Sequence, residues 1–232
     1  MGWLFPTNEI LKDRTTIVVS NCVATAFLGR RISLPLVATG CQGEFNPVSF
    51  AAAKLRLTNP STTALVFGSG KIVCTGAGSE RKAFVALLKY CRLIRECEPG
   101  VCLLDVKFQN IVSTASLGRC VDLEKLYERM RAQTAIVRWN PQIFPGLRYQ
   151  PQHPDDSRMF TVVFATGKVV LTAARNREEI ITTWRQVWRD VSPCATTAEI
   201  THAGLVRRKR LSELKNDSED DSDDEDALLG HF

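Results

Sequence analysis

The chain repeats itself. Asn21–Leu34 (NCVATAFLGRRISL) recurs as Asn110–Leu123 (NIVSTASLGRCVDL), with eight of 14 positions identical. Phe67–Thr75 (FGSGKIVCT) recurs as Phe164–Thr172 (FATGKVVLT), with five of nine identical. Phe45–Phe50 (FNPVSF) recurs as Trp139–Phe144 (WNPQIF), with three of six. Chance identity at average composition is about 6% per position. The blocks keep their order at offsets of 89, 94 and 97 residues, so the second copy carries small insertions. Two copies are too few for a solenoid, so they must pack together as one pseudo-twofold unit.

Each copy combines strands with helices. Thr63–Phe67 and Lys71–Thr75 are rich in β-formers and joined by Gly68-Ser69-Gly70, a hairpin signal. Val162–Phe164 and Lys168–Thr172 repeat it around Ala165-Thr166-Gly167. A helix follows each hairpin. Ser79 can N-cap the first, whose Phe84, Leu87, Leu88 and Cys91 are predicted to share an apolar face. The second places Ile180, Ile181, Trp184, Val187 and Trp188 at matching spacing. Val121–Gln133 reads as a further helix, matched by a poorer one near Leu34–Gly40.

Charge is split along the chain. The overall +5 averages a body of net +10 (residues 1–194) with a tail of net −5 (residues 195–232). A basic body favours a polyanion, nucleic acid first, although the same charge also serves solubility. No apolar run approaches the roughly 18 residues of a membrane span. The N-terminal residues do not read as a secretory signal. The eight cysteines include no Cys-x-x-Cys pair, and the histidines are His153, His202 and His231, so no zinc spacing exists. Reduced thiols in an intracellular compartment are expected. No nucleotide loop, nucleophile constellation or metal cluster is visible. Neither an enzyme nor a cofactor is expected.

Alternation across the strands divides the side chains between two faces. One face takes Leu65, Phe67, Lys71, Val73 and Thr75, copied as Val162, Phe164, Lys168, Val170 and Thr172. The other takes Ala64, Val66, Ile72 and Cys74, copied as Val163, Val169 and Leu171. Asn21, Val23 and Thr25 share a face, as do Asn110, Val112 and Thr114. Both faces are largely apolar, but the helices suffice to cover one. The other is expected to be a binding surface, or to be covered by a partner or by a self-dimer mate when free of DNA. Its chemistry suits an A·T-rich minor groove. That groove offers only acceptors, to which Asn amides and Thr hydroxyls donate. Flat Val and Leu surfaces fit its floor, phenylalanines wedge between base steps, and rim cations neutralise phosphates.

These residues resemble the core domain of the TATA-box-binding protein family, over about Val18 to Val191. The specific stretches include Asn21–Thr25, Leu55-Arg56-Leu57, Thr62–Ala77, Gln109–Val112, Phe144–Leu147 and Phe164–Arg177. The resemblance implies an α+β fold. Two pseudo-symmetric repeats form a curved antiparallel sheet, a saddle, with helices on the convex face and double-stranded DNA beneath. Residues 1–17 are then a short leader, 18–105 and 106–194 the two repeats, and 195–232 a disordered basic-then-acidic tail.

The resemblance also implies site roles. Phe50, Phe67, Phe144 and Phe164 match the intercalating wedges. Asn21 and Asn110 match the central amides, with Thr75 and Thr172 as hydroxyl companions. Val23, Val73, Val112, Val170, Leu65 and Val162 match the apolar groove-contact set, and Arg56, Lys71 and Lys168 the phosphate ligands. The implied partners are transcription factors IIA and IIB and the RNA polymerase initiation machinery, in the nucleus. The basic helix face of Lys82, Lys89 and Arg92 matches the surface for transcription factor IIA, and a plain solvated face reads the same way. The loop Asn140-Pro141-Gln142-Ile143 matches the stirrup for transcription factor IIB, without its acidic residues.

Three further departures stand out. Gln150 replaces the second-repeat phosphate arginine, with Arg148 two residues earlier. Pro151–Met159 is longer than the family pattern. Phe160 stands in for a β-branched residue. Arg207–Arg210 reads as a nuclear localisation signal or a plain basic run, and Asp217–Asp226 holds eight acids, flanking Ser222 and following Ser218 closely enough to suggest phosphorylation. Two rival functions remain: a family paralogue that recruits initiation partners with little TATA specificity, and a lipid-binding sheet-and-helix module.

Overall fold

The computed structural model describes residues 9–12, 15–133, 136–152 and 158–196. The tail with its charged runs, the first eight residues and the middle of the long Pro151–Met159 segment lie outside the described residues.

Ten strands form one antiparallel sheet among the described residues. In chain order they are β1 (Glu9–Lys12), β2 (Thr15–Phe27), β3 (Ala52–Thr58), β4 (Ser61–Phe67), β5 (Lys71–Ala77), β6 (Leu104–Ser116), β7 (Val137–Asn140), β8 (Phe144–Tyr149), β9 (Phe160–Val163) and β10 (Lys168–Ala174). The helices are α1 (Leu34–Gly40), α2 (Glu80–Cys97), α3 (Leu123–Gln133) and α4 (Arg177–Val191). Spatial order is β3-β4-β5-β2-β6-β10-β9-β8-β7, with β1 paired to β2. β1 was not foreseen: four residues ahead of the repeat carry too little pattern to read as a strand. The helix expected from Val121 begins at Leu123, because Val121 bridges to Ala195 instead.

The long strands β2 and β6 join the copies. Cys22 pairs with Ile111, flanked by Asn21 with Val112 and Val23 with Asn110. Residues 22 and 111 are 89 apart, the offset of that repeat block, so the pseudo-dyad passes through their pair. The hairpin turns are duplicated to the same detail. Leu28 N–H donates to the Gly70 carbonyl and Leu117 N–H to the Gly167 carbonyl. A Cβ on either glycine would stand 2.0 Å from the carbonyl oxygen of Arg30 or Arg119, and both have positive φ. Only glycine fits there.

The predicted alternation separates the faces. Ala64, Val66, Ile72 and Cys74, with Val163, Val169 and Leu171, are buried in the core beneath the helices. Both long helices carry N-caps at equivalent positions. Ser79 Oγ accepts from Lys82 N–H, and Asn176 Oδ1 accepts from Glu179 N–H. Phe84 and Leu88 do not line the core as expected; Ile181 packs at its margin, while Trp188 is exposed with its ring tilted against Trp184. On α2 the buried face is Ala83, Ala86, Leu87, Tyr90, Cys91 and Ile94. Small alanines let the helix approach the sheet. Tyr90 is buried because its hydroxyl donates to the Thr62 carbonyl.

Above the dyad, Arg177 clasps Glu80 with two charge-assisted hydrogen bonds of 2.7 and 2.9 Å. Both side chains are nearly buried. They occupy equivalent positions, the first residue of α4 and of α2. An arginine in a helix first turn opposes the helix dipole, and Glu80 compensates it. Burial is the largest influence and opposes the charge on Glu80, but the hydrogen bonds from Arg177, a backbone N–H and the Arg177 charge together outweigh it and hold the carboxyl below its usual range. That contribution is fully present above the ordinary carboxylate range and is lost as pH falls through the lowered value. Replacing either partner alone by Ala should cost about 3 kcal/mol in urea unfolding at neutral pH. The charge-swapped pair E80R/R177E should recover part of that loss.

Candidate nucleic-acid interface

Away from the helices, cross-strand register sets the side chains in rows. In the first copy one row runs Lys107, Thr25, Val73, Leu65, Lys54. In the second it runs Val18, Thr114, Val170, Val162, Arg148, Arg138. The rows match position by position from Thr25 and Thr114 outward, which makes Lys54 the counterpart of Arg148. Lys54 was missed from sequence although it stands two residues from Arg56, on the same side of β3. Strand parity was the available signal.

At the centre, Asn21 and Asn110 are held alike. Asn21 Oδ1 accepts from Gly76 N–H at 3.0 Å, and Asn110 Oδ1 accepts from Ala173 N–H at 2.9 Å. Gly76 (φ 91°) and Ala173 (φ 70°) lie at irregularities in β5 and β10, immediately after Thr75 and Thr172. The positive φ turns each N–H onto the asparagine carbonyl. The amide is thereby fixed with its acceptor end used and its Nδ2 donors uncommitted. Gly76 and Ala173 were not foreseen as site residues.

At the ends stand two phenylalanine pairs. Phe50 and Phe67 are edge-to-face with ring centroids 6.1 Å apart, and Phe144 and Phe164 are edge-to-face at 5.8 Å. Phe50 is 51% exposed and the other three are half-buried. Each pair joins the residue after a tight loop to the last residue of a hairpin arm. The loops are built alike: Val48 N–H donates to Asn46 Oδ1, and Gln142 N–H to Asn140 Oδ1. These Asn-Pro turns present bare apolar tips, Val48 at 95% and Ile143 at 83% exposed. Asn140 therefore has a structural duty besides the partner contact expected of it. Ile143 borders a cleft of about 460 Å³ that also takes Tyr127, Trp139 and Arg148.

The rim is basic and unequal. Lys71 and Lys168 begin β5 and β10 and are exposed. Arg56 and Lys54 each lie within 3.7 Å of the Glu44 carboxylate, so a surface acid partly neutralises the first copy's rim. Gln150 occupies the position that corresponds to Arg56, and Arg148 lies on the open face, in the Val162 row. On α2, Lys82, Lys89 and Arg92 are exposed along one stripe, with Lys89 Nζ donating to the Asn59 carbonyl.

The apolar set is not uniformly accessible, contrary to expectation. Val23, Leu65 and Val73 are half-buried, but Val112, Val162 and Val170 are only 2–3% exposed. None of these three belongs to the helix-side core. Val162 lies beside Val170 and Arg148 across the strands, and a Cβ on Gly146 would stand 2.7 Å from both Val162 Cγ1 and the Phe144 ring and 3.1 Å from the Phe164 ring, so these side chains crowd around one glycine. Short branched side chains among longer neighbours are shielded from both sides.

The family pattern described as "Transcription factor TFIID (or TATA-binding protein, TBP)" matches residues 16–97 and 105–194, one match per copy. The chain belongs to the TATA-binding protein family. It is 36% identical over 184 residues to the TATA-box-binding protein of Dictyostelium discoideum, covering 79% of this chain and 87% of that one. It is 37% identical over 172 residues to TATA-box-binding protein 1 of Triticum aestivum, covering 74% and 71%. The solved Methanococcus jannaschii TBP superposes with a TM-score of 0.65 at 29% identity, over 75% of this chain and 97% of that one. TATA-binding proteins are DNA-binding transcription factors, so the open face of this family member is its candidate DNA surface.

The asparagine clamp separates structure from recognition. Asn110→Ala leaves the Ala173 N–H without its acceptor and should cost about 1–2 kcal/mol in urea unfolding. Asn110→Asp keeps the acceptor while removing the amide donors, and should leave stability close to that of the parent chain.

Proposed function

We propose that this chain is a nuclear transcription initiation factor that binds the minor groove of A·T-rich, TATA-like double-stranded DNA, bends it, and nucleates assembly of the polymerase initiation complex. It performs no catalysis in this reading. The observation that carries it is the pair of edge-to-face phenylalanine couples, one per copy, at the two ends of a face whose centre holds two clamped asparagines. One ring of each couple can lever open a base step while its partner supports it. The Asn21 and Asn110 amides donate to adenine N3 and thymine O2, where a guanine amino group would collide. Val23, Leu65, Val73 and, after local rearrangement, Val112, Val162 and Val170 lie along the groove floor. Thr75 and Thr172 supply hydroxyls, and Lys71, Lys168 and Arg56 neutralise phosphates. The Lys82, Lys89 and Arg92 stripe suits transcription factor IIA, and the Asn140–Ile143 loop suits transcription factor IIB, through an apolar tip instead of an acidic one. The two copies, 18–105 and 106–194, act as the two halves of the DNA-binding unit.

Binding to TATA and G·C-rich duplexes tests this. The F67A/F164A chain should lose at least about 100-fold affinity for the TATA duplex while remaining folded by circular dichroism. Unchanged TATA binding would overturn the reading.

A second reading has its own support. Gln150, the Glu44 neutralisation of Arg56 and the shielded second-half valines all weaken grip on DNA. They suit a paralogue that recruits initiation partners with little TATA preference. Under the first reading, Glu44→Gln frees Arg56 and Lys54 for phosphates. It should then steepen the salt dependence of duplex binding by about one phosphate contact. Under the second reading the slope stays unchanged.

A further inference from the structure

The end of α1 and the end of α2 meet at two thiols. Cys41 Sγ and Cys97 Sγ are 3.7 Å apart, at van der Waals contact, although 56 residues separate them in sequence. The approach is built into the backbone. A Cβ on Gly40 would stand 2.8 Å from Cys97 Cβ, so a larger residue there would push the two helix ends apart. The other end of α1 is tied to the same region, where Ser33 N–H donates to Glu98 Oε1 at 2.8 Å. Both thiols are half-buried and free. Cys22 and Cys74, which neighbour each other, are fully buried in the core, away from any oxidant. Cys102 is exposed.

We propose that Cys41 and Cys97 form a redox modification site, which closes to an intramolecular disulfide on reaction with a low-molecular-weight disulfide of the glutathione class. The Cys97 thiolate attacks one sulfur of the oxidant. The oxidant's S–S bond breaks, one thiol leaves with a proton, and Cys97 carries a mixed disulfide. Cys41 then gives up its proton and attacks the Cys97 sulfur, expelling the second thiol. The protein pair loses two electrons and two protons, and the oxidant is reduced to two thiols. Burial, then the Cys97 neighbour, pushes the Cys41 thiol up to about 12, which disfavours Cys41 in the first, bimolecular attack and leaves its contact with Cys97 as what drives the second, intramolecular one. Closure needs the sulfurs to move from contact to bonding distance, about 2.05 Å.

The bond would fasten α1 to α2 immediately before the segment 42–49 that leads to Phe50. α1 has seven residues and no side-chain N-cap, so it is the helix with most to gain from a covalent tie. The second copy has no equivalent pair, since the 89-residue offset puts Met130 where the first copy has Cys41, leaving Cys194, the residue equivalent to Cys97, without that thiol partner.

The test uses the full chain incubated with glutathione disulfide, followed by digestion and mass spectrometry without reductant. The expected product is a Cys41–Cys97 linked peptide and a decrease of about 2 Da attributable to that link. The thermal midpoint should rise by several degrees, and dithiothreitol should reverse both changes. The Cys97→Ser chain should show neither change. Exposed Cys102 serves as the internal control, because glutathione added there shows that the oxidant acted. Modified Cys102 with Cys41 and Cys97 still reduced, or each separately glutathionylated, would overturn the proposal, as would a linkage between other cysteines.

Discussion

The fold depends on the antiparallel pairing of β2 with β6. Without it, each copy would be a short sheet with a long unpaired edge, a template for pairing with other chains. With it, the two edges satisfy one another along most of two 13-residue strands. The pseudo-dyad runs through the Cys22–Ile111 pair, and both residues are buried in the core. Every other duplicated feature takes its position from that ladder: the glycine turns, the helix caps, the asparagine clamps and the phenylalanine couples.

The Glu80–Arg177 clasp gives the join a different character. Equivalent positions on the two copies carry opposite charges, so the contact across the axis is complementary. Two identical copies would place like charges together, whichever residue they carried. The duplication has therefore diverged at a point where symmetry itself would be costly, while keeping equivalence where turns and caps require it. The N-caps Ser79 and Asn176 differ in type but perform the same hydrogen bond.

Much of this was legible in the residues, and the misses have physical causes. The repeat, the hairpins and the division into a core face and an open face follow from identity and strand parity, which are local. The family resemblance followed from the same blocks and is shared by the matched relatives. On α2 a count of large apolar residues selected Phe84 and Leu88. The buried face is instead organised by small Ala83 and Ala86 and by the satisfied hydroxyl of Tyr90. The asparagine clamps depend on backbone turns at Gly76 and Ala173. An alanine at positive φ carries no signal in sequence, because that conformation is imposed by its surroundings. The shielding of Val112, Val162 and Val170 likewise arises only once four strands lie side by side.

The asparagine clamps have one more consequence, which concerns direction. Each clamp fixes an amide as a donor, and the two donors are related by the dyad. In the minor groove, A·T and T·A pairs present nearly the same acceptors. A twofold set of donors reading such a code binds a site equally well in either sense along the duplex. Polarity must then come from the positions where the copies differ. Arg56 with Lys54 and Glu44 at one end, against Gln150 and Arg148 at the other, makes the two rims unequal in charge. The departures from symmetry are thus the residues able to decide which way along the DNA an assembled machine would point.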